Sequence, residues 1–83
     1  MADKLSHRQR EILYFIAGFM DDNSYSPTIR EIGDGVGMAS TSHVARNLSR
    51  LQEYGYITRT PGISRSIVPN WEHMADVIKL AEA

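Results

Sequence analysis

The chain has 83 residues, a formal net charge of −1 and no cysteine. This length suffices for one modest hydrophobic core, and the lack of cysteine excludes a disulfide framework and a thiolate metal site. The sequence shows no signal peptide and no run of about 18 apolar residues, so we expect a soluble, cytoplasmic protein.

The charges are distributed unevenly along the chain. Residues 40–68 carry four arginines and one glutamate, a net charge of +3, whereas residues 1–39 and 69–83 are each at −2. A basic middle segment is what binding to a polyanion requires. The alternative is that four arginines are scattered by chance over a solvated surface.

Two capping boxes predict where the first two helices begin. Ser6 and Gln9 form the first, before a broad apolar stripe that continues to about Asp22 and is typical of a core helix. Thr28 and Glu31 form the second, directly after Pro27. The second helix is short and faces the core with Ile29, Ile32 and Val36, and Gly37 closes it.

A third helix is predicted over residues 41–54, with Ser40 as its N-cap and Gly55 closing it. At about 100° per residue, Val44, Leu48 and Leu51 fall on one stripe. The opposite face has short hydrogen-bonding side chains and guanidinium groups but no acid between residues 40 and 50, and its members are Ser42, His43, Arg46, Ser49 and Arg50. Two helices joined by a tight turn, the second with such a face, indicate a helix-turn-helix.

After Gly55 the pattern becomes extended. Residues 56–60 and 64–68 are predicted strands around the turn Pro61–Ile63, with Ile57 and Ile67 facing the core and Arg59 and Arg65 outside. This hairpin is a wing. The predicted fold is mainly α with a small β-hairpin: a winged helix-turn-helix with a three-helix core, a wing and a C-terminal helix.

The C-terminal segment is predicted to form a separate helix after the wing. We divide the chain into a winged helix-turn-helix domain, residues 1–68, and an amphipathic helix, residues 69–83. Asn70 can cap that helix, and its apolar stripe comprises Trp71, Met74, Ala75 and Ile78, with Val77 and Ala81 beside it. The helix either packs on its own domain or pairs with a second copy to make a homodimer.

The residue types on the third helix favour double-stranded DNA as the partner. Arginine can donate two hydrogen bonds to guanine, and Arg46 lies centrally on the predicted outer face, flanked by His43 and Asn47. Ser40 and Ser42 lie at the helix start, where free N–H groups favour phosphate. Arg59 and Arg65 would mainly neutralise backbone charge.

Three runs of the sequence resemble the N-terminal DNA-binding domain of LexA-type SOS repressors. These runs are LSHRQREILYFI, YSPTIREIGDGVGMASTSHVARNLSRLQEYGYI and TPGISRSIV, which together cover about residues 5–68. The resemblance implies binding to operator DNA and repression of transcription in the SOS response. It also implies groove contacts from the second helix of the motif, wing contacts from Ser64 and Arg65, and phosphate contacts from Thr28 and Arg30. The complete predicted DNA-binding set is Thr28, Arg30, Ser40, Thr41, Ser42, His43, Arg46, Asn47, Arg50, Arg59, Ser64 and Arg65.

The chain departs from that family after Val68, where nothing resembles the self-cleaving domain of these repressors. The chain is therefore either an excised domain or a small free-standing protein, and the amphipathic C-terminal helix favours the second. We expect no enzyme activity, cofactor, membrane contact or small-molecule ligand, and no metal site, because His7, His43 and His73 share no ligand spacing. The alternative function is a winged-helix adaptor that binds proteins and not DNA.

Overall fold

The structure, a computed structural model, describes the backbone of residues 5–82 and the side chains of residues 5–77. Its elements in chain order are α1 (His7–Asp22), α2 (Ile29–Val36), α3 (Thr41–Glu53), β1 (Ile57–Thr58), β2 (Val68–Pro69) and α4 (Trp71–Glu82). The two strands pair in antiparallel fashion. This architecture confirms the predicted winged helix-turn-helix.

Each predicted N-cap is formed. The Ser6 hydroxyl accepts from the Gln9 backbone N–H at 3.1 Å, and the Gln9 side chain accepts from the Ser6 N–H at 2.9 Å. Thr28 and Glu31 repeat this reciprocal pair at 3.1 and 2.8 Å. The Ser40 hydroxyl accepts from the backbone N–H of the third residue of α3 at 3.2 Å. These local bonds fix where α1, α2 and α3 begin.

The helix ends follow the predicted glycines. Gly37 has a φ of 75° and Gly55 a φ of 84°, the left-handed conformation in which a side chain would be strained. Helix α3 ends at Glu53, one residue before the predicted end, because Tyr54 serves as its C-cap.

The core lies between α1, α2 and α3. Helix α3 contributes Val44, Leu48 and Leu51, all 0% exposed, as the predicted stripe requires. Helix α1 contributes three equally buried side chains, those of Ile12, Leu13 and Ile16. Helix α2 contributes that of Ile32. This packing fixes the rotation of α3 about its axis and therefore which of its residues face outward.

The wing is less regular than predicted. The strands are two residues each, with Ile57 opposite Pro69 and Thr58 opposite Val68, instead of the predicted 56–60 and 64–68. Two backbone features interrupt the extended conformation: a turn closed by the Ile63 N–H on the Thr60 carbonyl at 3.1 Å, and a φ of 56° at Arg65. The predicted inward positions of Ile57 and Ile67 are confirmed, since both are buried.

Helix α4 packs on its own domain through Met74 and Val77, which are buried in the common core. Asn70 caps it, accepting from the His73 N–H at 3.2 Å. Of the predicted stripe, Met74 faces the core, whereas Trp71 and Ala75 are exposed, because the core face is centred between Met74 and Val77. The side chains of residues 78 and 81, also assigned to the stripe, lie outside the described residues.

Within the described part of the chain, none of the helices combines the length and the apolar character that a membrane crossing would need.

Candidate nucleic-acid interface

The outer face of α3, which we define as Ser42, His43, Arg46, Ser49 and Arg50, is exposed along its whole length. Burial of Val44, Leu48 and Leu51 on the other side of the helix holds it in that orientation. The face presents hydroxyl, imidazole and guanidinium groups to solvent. Such groups match the donors and acceptors on base edges.

Arg46 is the least constrained cation of this face. Among the described residues it has no ion-pair or hydrogen-bond partner. Arg50 lies one turn further on, and its Nη1 is 3.9 Å from Oε1 of Glu53. Both side chains are more than half exposed. The face is therefore free of acid through Arg50, and Glu53 marks its end.

Asn47 lies at the edge of the outer face, against α1. Its amide donates to the His43 carbonyl at 3.0 Å, and its side-chain oxygen accepts from Gln9 at 3.3 Å. The side chain is partly buried. Both contacts hold the Asn47 side chain against the domain. A contact between Asn47 and a DNA groove stays a prediction. The Gln9 contact could not be found from the sequence, since the two residues are 38 positions apart.

The start of α3 is open to solvent. Ser40, Thr41 and Ser42 are all exposed, and the Ser40 hydroxyl is already used by the cap. The first backbone N–H groups of a helix have no partner within it and carry the positive end of its dipole. This end of α3 is consequently suited to a phosphate oxygen.

A cleft of about 540 Å³ separates the start of α2 from the wing. It brings together the predicted backbone-contacting residues of the two elements, which are distant in sequence. Those that line it are Thr28, Arg30, Arg59, Ser64 and Arg65. Thr28 is partly buried by its capping role, whereas Ser64 is exposed at the wing tip.

The three arginines of the cleft differ in their surroundings. Arg30 is exposed and has no partner among the described residues. Arg59 is partly buried, and its Nε is covered without a hydrogen-bond partner. Arg65 is already engaged by Glu31, with Nη1 to Oε1 at 2.9 Å and Nη2 to Oε2 at 3.1 Å. The predicted wing cation thus has an acidic partner within the domain.

The same contact changes the acid–base behaviour of Glu31. Hydrogen bonding from Arg65, and then from the Thr28 backbone N–H, holds the pKa of the Glu31 carboxyl below its ordinary value. The sequence predicts Glu31 as a helix cap. No pattern in the sequence linked it to Arg65, which lies 34 residues away.

The two tyrosines after α3 pack within the domain. Tyr56 is buried, and its ring centroid lies 4.2 Å from that of His73. Tyr54 is partly buried against the core. Together with the Asn70 amide, which donates to the Gly55 carbonyl at 3.3 Å, the His73 ring ties α4 to this turn.

The described side chains of α4 leave the outer face of α3 uncovered. Its buried side chains, Met74 and Val77, enter the core, and α4 packs on α1. His43 and Arg46 remain exposed. The described part of the tail therefore does not block an approach to α3.

Comparisons with known proteins agree with this geometry. The family model described as LexA DNA binding domain matches residues 2–66. The LexA repressor of Anaeromyxobacter sp. (strain Fw109-5) is 46% identical over 67 residues, which cover 81% of this chain and 29% of that protein. The LexA repressor of Bacillus mycoides (strain KBAB4) is 49% identical over 65 residues, which cover 78% of this chain and 32% of that protein.

The LexA repressor of Bacillus thuringiensis (strain Al Hakam) matches to the same extent, at 49% identity over 65 residues. The chain thus spans about a third of the length of these relatives. A match of the family model over most of the chain establishes its kinship: the chain belongs to the LexA DNA-binding domain family.

Proposed function

We propose that this chain binds double-stranded DNA in a sequence-specific manner and represses transcription at SOS-type operators, with no catalytic step. The observation that carries the proposal is the exposed, acid-free outer face of α3, with Arg46 at its centre and unpaired among the described residues. The name repressor, which the relatives bear, supports it. Such a role places the protein in the cytoplasm, at the nucleoid.

In the proposed complex α3 lies in the major groove. Arg46 donates two hydrogen bonds to guanine O6 and N7, an interaction that contributes about 1–3 kcal/mol of discrimination between bases. His43 and Ser42 contact neighbouring base edges from the same face. The N–H groups at the start of α3 hold a phosphate and fix the register of the helix along the groove.

The cleft between α2 and the wing lies beside the DNA backbone in this arrangement. Arg30 and Arg59 neutralise phosphates there, and this contribution does not depend on sequence. One domain with so few charges binds weakly. Two copies on half-sites about 34 Å apart would raise the affinity, so we propose that the chain binds its operator as a homodimer.

The test compares two arginine variants on a duplex obtained by selection from a random pool. Arg46→Ala should relax the sequence preference at one position of the site. Arg30→Ala should weaken all duplexes alike and lower the slope of log affinity against log salt by about one. Gel-shift titrations at several salt concentrations measure both. Indistinguishable behaviour of the two variants would contradict the assigned roles.

A second candidate function is a protein-interaction adaptor. The net charge of −1 and the exposed Trp71, at 49%, favour it. The same selection experiment distinguishes the two functions. Two results together would favour the adaptor. The selection enriches no duplex, and the wild-type protein binds the random pool no better than a variant in which Arg30, Arg46 and Arg59 are replaced.

A further inference from the structure

The wing is held by few backbone hydrogen bonds. Strand pairing involves only Ile57 with Pro69 and Thr58 with Val68, which leaves residues 59–67 outside the ladder. A turn at Thr60–Ile63 and the Ser66 hydroxyl, which accepts from the Thr60 N–H at 3.0 Å, organise the tip internally. Neither contact ties the tip to the helices. Other groups must therefore set the position of the wing relative to them.

Arg65 makes the polar contacts that cross from the wing to the helix-turn-helix. Its guanidinium forms the bidentate pair with Glu31 and also donates to the Ser26 carbonyl at 3.0 Å. Its Cζ lies 4.5 Å from the centre of the Tyr25 ring, in cation–π geometry. A planar, bidentate and stacked guanidinium has a defined orientation, which an isolated surface ion pair lacks.

The backbone of Arg65 is also unusual. Its φ of 56° lies in the left-handed region, where a residue with a Cβ is disfavoured, and no other non-glycine residue of the described chain adopts a positive φ. Such a conformation persists where the surrounding contacts determine it. The contacts to Glu31, Ser26 and Tyr25 are the ones present here.

Glu31 connects these contacts to the helix. Its Oε1 accepts from the Thr28 N–H at 2.8 Å and from Arg65 at 2.9 Å, so one carboxylate caps α2 and anchors the wing. The start of α2 and the wing form the two walls of the cleft. The pair consequently connects the two elements that form these walls.

We propose that Arg65 is a positioning residue of the wing and not a DNA contact: its pair with Glu31 fixes the wing against the helix-turn-helix, and DNA affinity depends on that pair. This inference rests on the proposed function for its effect on affinity. It contrasts with the role predicted from the sequence, in which Arg65 neutralises a phosphate.

Glu31→Gln separates the two roles by the sign of its effect. Glutamine keeps the cap of α2, as Gln9 does for α1, but it gives up the ionic, bidentate partner of Arg65. If Arg65 contacts phosphate, removing the acid frees it, and both the affinity and the salt slope rise. If the pair positions the wing, affinity falls about three- to tenfold and the slope is unchanged, although the protein has become more positive.

Arg65→Lys is the matched control, since it keeps the charge and the Cβ but not the bidentate fork. Under the proposal it loses affinity as Glu31→Gln does, and the double variant is no weaker than either single one. Affinity close to wild type for Arg65→Lys, or additive losses in the double variant, would overturn the proposal. Thermal melts ensure that each variant is folded at the assay temperature.

A measurement without DNA keeps this inference independent of the proposed function. Amide ¹⁵N relaxation of residues 60–66 should show greater mobility in Glu31→Gln than in wild type, while the amides of α1 and α3 keep their values. Unchanged relaxation in the wing would overturn the positioning role. Failure of the wild-type protein to bind any duplex would instead refute the proposed function, and the relaxation result would stand.

Discussion

At the scale of single residues, the glycines show how differently one residue type is used. Gly18 lies exposed within α1, and a Cβ there would meet nothing within 4 Å among the described residues beyond the backbone of α1 and the two adjacent residues. A close contact with another helix therefore does not explain this glycine. At Gly35 a Cβ would overlap the ring of Phe15. Only the second glycine is required by packing.

Two alanine substitutions test this difference. Gly18→Ala should raise the free energy of unfolding by about 0.5–1 kcal/mol, because alanine loses less backbone freedom in a helix. Gly35→Ala should lower it by about 1–3 kcal/mol, because the Phe15 ring must move. Urea denaturation followed by circular dichroism measures both. Equal effects of the two substitutions would contradict the packing that separates them.

At the scale of elements, the helices follow from local sequence more closely than the wing does. A capping serine or threonine and a helical stripe act within one or two turns, so α1, α2 and α3 begin where predicted. The wing was predicted from residue types that favour strands. Its actual course is set by a turn, by the φ of Arg65 and by a side-chain pair with α2.

That pair between α2 and the wing predicts a pH dependence. A carboxyl group whose pKa is lower in the folded state than in the unfolded state stabilises the fold at pH values above its unfolded-state pKa. This stabilisation is lost as the pH falls through the folded-state pKa. The pKa of Glu31 is lowered, chiefly by hydrogen bonding from Arg65, from an ordinary value of 4.5. At pH 7 the thermal unfolding midpoint of wild type should therefore lie at a higher temperature than that of Glu31→Gln. The two midpoints should approach each other below pH 4.5.

Thermal midpoints of both proteins between pH 7 and pH 3 measure this effect. Arg65→Lys serves as a control, since its midpoint should change less with pH than that of wild type if the bidentate pair lowers the pKa. A difference between wild type and Glu31→Gln that stays constant over the whole range would exclude an ionic contribution from the pair.

At the scale of the whole molecule, α4 has two faces with different uses. Met74 and Val77 complete the core, whereas Trp71 is 49% exposed. The division of the chain at residue 69 stays a prediction, as does a homodimer. Removing everything after Asn70 would open the core as well as any interface, so truncation cannot test dimerisation alone.

Two point variants separate these uses. Met74→Ala should lower the free energy of unfolding by about 2–5 kcal/mol, as expected for a buried methionine. Trp71→Ala should change stability little and should shift the sedimentation profile from dimer to monomer. A wild-type protein that sediments as a monomer at all concentrations, with or without operator DNA, would refute the homodimer.

The sequence alone determined what depends on neighbouring residues. Caps, helix phase and the polar outer face of α3 involve residues within a few turns of one another, and a resemblance of the linear pattern supplied the family. Tertiary structure decided which partners distant side chains find. Arg65 meets Glu31 across 34 residues and Asn47 meets Gln9 across 38, because the folded backbone brings these pairs together and local periodicity does not encode them. For the same reason, only packing on the other helices settled which face of α4 is buried.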